Sequence, residues 1–212
     1  MISFLRSTAQ TTNTWSGGTT TQLAIWPPDA DYQDRNFLWR ISSARVDQKE
    51  SAFTALPGFH RILMILEGSI RLIHEGRREV ELKPFEQDAF EGEWTTRSIG
   101  RCIDFNLMTA PECEGRMEAL EVSPRQDLQL KLFEGTEAAH KEKTFLFESF
   151  YCLAPRLAVR ISGDADLEDE LTQNDFLTIT GESLHKKLLL RLSASEREEK
   201  RYVVVRTTIY SR

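Results

Sequence analysis

Arg40 and Ser42 on one short run, and Asp104, Asn106 and Met108 on another, are the residues of this 212-residue chain whose types and spacing best suit binding chemistry. Each set recurs at the two-residue interval that lines up side chains on one face of a strand. In residues 37–44, Arg40, Ser42 and Ala44 oppose Trp39 and Ile41; in residues 103–108, Asp104, Asn106 and Met108 oppose Ile103, Phe105 and Leu107. A guanidinium in apolar surroundings is costly unless it meets an anion, and its planar fork suits carboxylates. Arg40 and Arg61 both stand in such surroundings. Two explanations are open for each: an internal ion pair with Asp104, or an anionic ligand. Ser42 and Asn106 would add neutral hydrogen-bonding groups, while Trp15, Phe59 and Met108 suit the walls of a cavity and a packed core equally well. The plain alternative is an antiparallel sheet with its polar face in water.

Other chemistries are less well supplied. The histidines, His60, His74, His140 and His185, are isolated, and no H-x-H exists to present two imidazoles from one strand. No metal site and no cofactor is expected. His60 beside Arg61 could serve as a base, but a lone histidine at the start of a strand is more often structural. Ser183 and His185 lie close together without a G-x-S-x-G elbow, and Gly17-Gly18 is too short for a P-loop and has no following lysine. Asp104 and Glu67 would form a paired-carboxylate site only if the fold brought them together.

The elements that must position these residues read as strands. Segments of four to eight residues rich in β-branched and aromatic side chains recur between turn signals, without long helical periodicity. Residues 61–66 are almost continuously apolar, as in a strand covered on both faces, and Glu67-Gly68 is read as a hairpin turn into 69–74. Pro84 places the short 80–82 run at an edge or in a loop. Residues 109–115 lose β-propensity and mark a boundary. Beyond it, strands are read at 128–133, 145–153, 157–161, 176–180, 188–192 and 203–209, with 137–141 and 194–200 as polar loops able to hold a helical turn. The division is therefore 1–112 and 113–212.

Composition narrows the class. Hydrophobic residues make up 40%, enough for a core, and the net charge of −6 comes without any basic cluster to track phosphates, which argues against nucleic acid. Cys102, Cys113 and Cys152 are odd in number and lack C-x-x-C spacing, as expected of reduced thiols in a cytoplasm. No apolar run reaches the length of a membrane helix, and the amino terminus lacks a signal pattern.

Residues 15–22 (Trp15-Ser16-Gly17-Gly18-Thr19-Thr20-Thr21-Gln22) and 39–44, then 53–61, Leu66-Glu67-Gly68, Pro84-Phe85-Glu86, Phe90-Glu91-Gly92 and 104–108 resemble, in order, the blocks of the HutD/Ves family of bicupins. The resemblance covers about the first 110 residues. It implies an all-β bicupin, two jelly-roll-type β-barrels packed together, with the motifs in the amino-terminal barrel. The chain departs from the family in lacking the Asn that often precedes a three-glycine run after the first tryptophan. No role of that side chain carries over, although Gly17 and Gly18 still permit a close backbone approach to a ligand. Many cupins hold a metal with closely spaced histidines, which this chain lacks.

Because Arg61 belongs to a family block with Pro57-Gly58, the resemblance favours a ligand at Arg61. It also implies an association with histidine breakdown. The expected function is metal-free, non-catalytic binding of a small anionic metabolite by Arg61, Asn106, Asp104, Arg40, Ser42, Trp15, Phe59 and Met108. A homodimer is compatible with this reading. The alternatives are a metal-independent hydrolase or isomerase using Asp104 or His60, and a structural or interaction module whose interior is filled by its own side chains.

Overall fold

A computed structural model describes residues 1–133, 145–163, 166–181, 188–194 and 202–211. The loops read at 137–141 and 194–200, and the Ser183–His185 pair, fall wholly or largely outside these. In chain order the strands are β1 (Ile2–Leu5), β2 (Thr11–Trp15), β3 (Gly18–Trp26), β4 (Trp39–Val46), β5 (Glu50–Ala52), β6 (His60–Gly68), β7 (Ile70–His74), β8 (Arg78–Leu82), β9 (Gln87–Glu91) and β10 (Thr96–Ile99). There follow β11 (Cys102–Thr109), β12 (Cys113–Val122), β13 (Leu128–Lys131), β14 (Phe145–Cys152), β15 (Arg156–Ser162), β16 (Leu167–Thr172), β17 (Phe176–Gly181), β18 (Leu189–Ala194) and β19 (Tyr202–Ser211). The described residues contain no α-helix, only a 3-10 turn at Ser7–Ala9, and hence no helix long and apolar enough to cross a membrane.

The chain forms two compact units, Gln10–Cys113 and Met1–Ala9 with Glu114–Arg212. The break near residue 113 falls where β-propensity is lost, but the assignment of residues 1–9 to the first unit is corrected. β1 pairs antiparallel with β17, and Arg6 donates to both carboxylate oxygens of Asp169 at 2.8 Å and to Asp175 at 3.2 Å. Asp175 also accepts the Ser7 and Thr172 backbone N–H groups at 2.8 and 2.9 Å. Burial alone would raise its carboxyl, but these donors outweigh it and hold the pKa below the ordinary value.

The amino-terminal unit comprises a six-stranded sheet, β2-β3-β4-β11-β6-β9, and a four-stranded sheet, β5-β10-β7-β8, both open-edged. Leu63, Ile65 and Phe90 from the larger sheet and Ile70, Leu72 and Leu82 from the smaller form the core between them. Burying these side chains supplies most of the driving force, about 1.5–3 kcal/mol each. Residues 61–66 are a strand covered on both faces, as their apolar run requires. The hairpin read at Glu67-Gly68 is corrected: β6 pairs with β11 and β9, whereas β7 pairs with β10 and β8. Gly68, at φ 82°, turns the chain out of one sheet and into the other; a Cβ there would lie 2.4 Å from the Arg101 carbonyl oxygen. β8 is an edge strand, and Pro84 lies in the turn after it.

The carboxy-terminal unit also has two open sheets, β1-β17-β14-β19-β12 and β13-β18-β15-β16. Its core draws Phe150, Leu177, Ile179 and Val204 from the first and Leu157, Val159, Leu190 and Leu192 from the second.

Candidate functional site

The strands β4, β11 and β6 lie side by side, and their register decides which side chains meet. Asn106 stands opposite Ser42 and Leu63, Met108 opposite Arg40 and Arg61, and Asp104 opposite Ala44 and Ile65. Gln22 of β3 extends the Asn106 row, and Phe90 of β9 faces Arg61. Residues directly opposite one another share a sheet face, and Leu63, Ile65 and Phe90 belong to the core. Arg40, Ser42, Arg61, Asp104, Asn106 and Met108 therefore all turn into that interior, and all are buried. With strands about 4.8 Å apart, the two arginine Cα atoms stand roughly 10 Å apart with Met108 between them. Phe105 and Leu107 are buried on the opposite face, as the two-residue period requires.

Arg40 is held by neutral groups. Its Nε donates to Gln22 Oε1 at 2.8 Å and its Nη1 to Ser42 Oγ at 3.1 Å, with the guanidinium 4.4 Å from the centre of the Tyr32 ring. Burial lowers its pKa. Arg61 is more extreme. Its guanidinium lies over Phe53 at 4.9 Å and Phe90 at 5.2 Å, its Nε has no partner, and no carboxylate among the described residues pairs with it. Burial pulls its pKa down to about 10. Neither arginine forms the internal pair with Asp104 that the sequence left open.

The Asp104 carboxyl is pushed up to about 7 by burial, against the opposing pull of Arg61 and the Ala44 N–H. The Asn106 Oδ1 is buried without a partner. The interior thus holds two guanidiniums, a carboxyl raised towards neutrality that has no ion-pair partner among the described residues, and an unpaired donor and acceptor. Such an arrangement has the chemistry to pair with a small anion that carries a hydrogen-bonding edge.

Phe59 and Met108 share an apolar cluster with Phe37, Leu56 and Ala110, and the Phe37 and Phe59 rings stack at 4.4 Å. Trp15 is not brought to the site. It lies at the exposed β2 edge, in the row of Cys102 and Val46, six residues or roughly 20 Å of strand from the Met108 row. Its ring covers Gly17, where a Cβ would lie 2.0 Å away, and a Cβ on Gly18 would meet the Arg45 carbonyl oxygen at 1.8 Å. The glycines serve hairpin packing. Glu67 is exposed opposite Ile103 and forms no pair with buried Asp104. His60 is half-buried and meets Glu91 Oε1 at 3.2 Å.

Sequence reasoning passed over His74. Its Nδ1 meets Thr96 Oγ1 at 2.8 Å and its Nε2 meets Asp88 Oδ2 at 2.9 Å, while Arg78 donates to the other Asp88 oxygen at 2.7 Å. The imidazole is fully buried between Phe90 and Trp94 and ties β7 of the small sheet to β9 of the large one. With both ring nitrogens engaged, it offers no lone pair to a metal, and no convergent set of three His, Cys, Asp or Glu ligands exists among the described residues. The interior donor set does not fit a cupin-type metal. Cys102 and Cys152 are buried free thiols, pushed up to about 12 by burial.

The carboxy-terminal unit supplies a contrast. Its interior guanidinium, Arg206, donates to both oxygens of fully buried Glu148 at 2.8 and 2.9 Å and to Glu118 at 3.2 Å. A cleft of about 500 Å³ on this unit is lined by Asp127, Arg160, Glu168 and Arg191, which pair with one another. Uncompensated buried charge is found in the amino-terminal unit.

An all-β chain whose solved neighbours include the Bacillus subtilis oxalate decarboxylase (TM-score 0.60, 6% identity, 98% of this chain and 76% of that one) has a cupin-like fold. It belongs to the HutD family, whose model matches residues 7–198. A conserved protein of unknown function from Pseudomonas aeruginosa PAO1 superposes with a TM-score of 0.75 at 24% identity, covering 99% and 98% of the two chains. HutD from Pseudomonas fluorescens SBW25, solved in a formate condition, gives 0.70 at 20% over the whole of both chains. The uncharacterized 21.2 kDa protein of the hutC 3′ region of Pseudomonas putida is 36% identical over 80 residues, spanning 36% of this chain and 42% of that protein's length.

Proposed function

We propose that this HutD-family protein is a metal-free bicupin, two jelly-roll modules of which the amino-terminal one binds a small carboxylate through Arg61, and that it serves an accessory or regulatory role in histidine degradation. The observation that carries this reading is the unpaired guanidinium of Arg61. An uncompensated buried charge costs several kcal/mol, a cost that an arriving carboxylate relieves. Arg40, held by neutral partners, adds a second positive charge; Asn106 and Ser42 supply hydrogen-bonding groups; Phe59 and Met108 close the apolar end. The hutC-region name of the Pseudomonas putida relative and the family's HutD name support the pathway link. In this reading the partner is a small anionic metabolite in the cytoplasm, with no role for nucleic acid or membrane and with a homodimer compatible.

The test is thermal denaturation with carboxylic acids of the histidine pathway and with their primary amides. Acids should raise the melting temperature and amides should not. No effect of any acid, or equal effects of acid and amide, contradicts the reading. One observation favours a second reading: a carboxyl titrating near neutrality suits general acid–base chemistry, which would make Asp104 the working group of a metal-independent hydrolase or isomerase. Nuclear magnetic resonance of the same acids incubated with the protein separates the two, since a binding protein returns them unchanged.

A further inference from the structure

Asp104 and Arg61 turn into the same interior without meeting. Arg61 is the cation whose field favours the Asp104 carboxylate, and the other stabilising contact is the Ala44 N–H. Arg61 in turn has Asp104 as its favourable charge and Arg40 as its unfavourable one. The internal carboxylate therefore competes for the charge that a bound anion would use.

Resting on the carboxylate-binding reading, we propose that an acid bound at Arg61 is taken up together with a proton held by Asp104, which makes Asp104 the internal competitor that sets the pH dependence of binding. The physical sequence is short. A ligand carboxylate neutralises Arg61, so Asp104 loses its attracting cation and gains a like charge in a low-dielectric interior. Each change favours the neutral acid, and the proton comes from solvent onto a carboxylate oxygen. No covalent bond is made or broken. Asp104 is buried on the strand next to that of Arg61 and has no ion-pair partner of its own among the described residues, so a carboxylate ionised above neutrality in the free protein is reprotonated when the ligand takes Arg61. Of the other charged or titratable groups, Arg40 of β4 turns into the same interior with Tyr32 against its guanidinium, and Cys102 lies on the strand of Asp104. His74 and Asp88 share the interior but bond to each other.

The experiment is calorimetric titration of wild type and Asp104→Asn with formate and with benzoate, a planar acid, in phosphate and Tris buffers above neutral pH. Protons taken up from buffers of different ionisation enthalpy make the observed heat buffer-dependent. Wild type should take up about one proton and lose affinity by up to about tenfold per pH unit above neutrality. Asp104→Asn should bind with buffer-independent heat and a flat pH profile. Wild-type binding without proton uptake overturns the inference and leaves the binding reading standing; so does uptake that persists in Asp104→Asn, which would move the proton to another group. No binding of either acid overturns the binding reading and the inference with it.

Discussion

Arg61 and Asp104 lie on the adjacent strands β6 and β11, both buried and both turned into one interior, yet no ion pair joins them. Arg61 stands opposite Met108, four residues along β11 from Asp104, or roughly 13 Å of strand. The offset leaves each group with its own desolvation cost, seen in a carboxyl raised to about 7 and a guanidinium lowered to about 10.

The raised Asp104 carboxyl makes stability depend on pH with a definite sign. Its folded pKa lies above the unfolded value, so the native state binds more protons between about pH 4 and 7, and stability falls as pH rises through that window. A shift from 3.8 to about 7 corresponds to a limiting penalty on the order of 4 kcal/mol above neutrality. Asp104→Asn should therefore be more stable than wild type in urea at alkaline pH, with the gap closing towards pH 4. A gap that widens on acidification would reverse the assigned direction.

The Asp175 carboxylate should behave in the opposite way. Its folded pKa is depressed, so its contribution is present above the unfolded pKa and is lost as pH falls through the folded one. Asp175→Ala strands the part-buried Ser7 and Thr172 N–H groups and should cost about 2 kcal/mol. Arg6→Ala removes a partly exposed ion pair and should cost less than about 1 kcal/mol. Equal losses from the two substitutions would show that the ion pair, and not the backbone contacts, secures residues 1–9.

His74 is a tie between the two sheets of the amino-terminal unit. His74→Ala leaves a cavity beside Phe90 and Trp94 and removes the partner of Asp88, for an expected loss of about 3 kcal/mol in denaturant unfolding. A loss below about 1 kcal/mol would mean that the imidazole is not structural.

Much of this architecture can be read along the chain because strands announce their faces. The two-residue alternation of 103–108 correctly separates Asp104, Asn106 and Met108 from Phe105 and Leu107, and that of 39–44 places Arg40 with Ser42. Long-range pairings are not written there. His74 finds Thr96 and Asp88 from 22 and 14 residues away, so nothing local marks it. β2 and β3 are carried by threonines with a register shift at Leu23, and β12 by Glu, Met, Ala and Leu, so tertiary pairing overrides weak or contrary propensity. The Gly68 turn shows where the chain bends but not that β7 joins the other sheet, and nothing in Ile2–Leu5 predicts a partner at Phe176–Ile179.

The most direct test of carboxylate binding compares wild type with Arg61→Met by calorimetric titration with carboxylic acids of histidine degradation. Methionine keeps much of the side-chain length and removes an unpaired buried charge, so the variant should melt at the same temperature or higher. Loss of a charge-assisted contact should weaken binding by about 2 kcal/mol, roughly thirtyfold. A wild type that binds such an acid and a folded Arg61→Met that binds it equally well would contradict the assignment of Arg61 as the anchor.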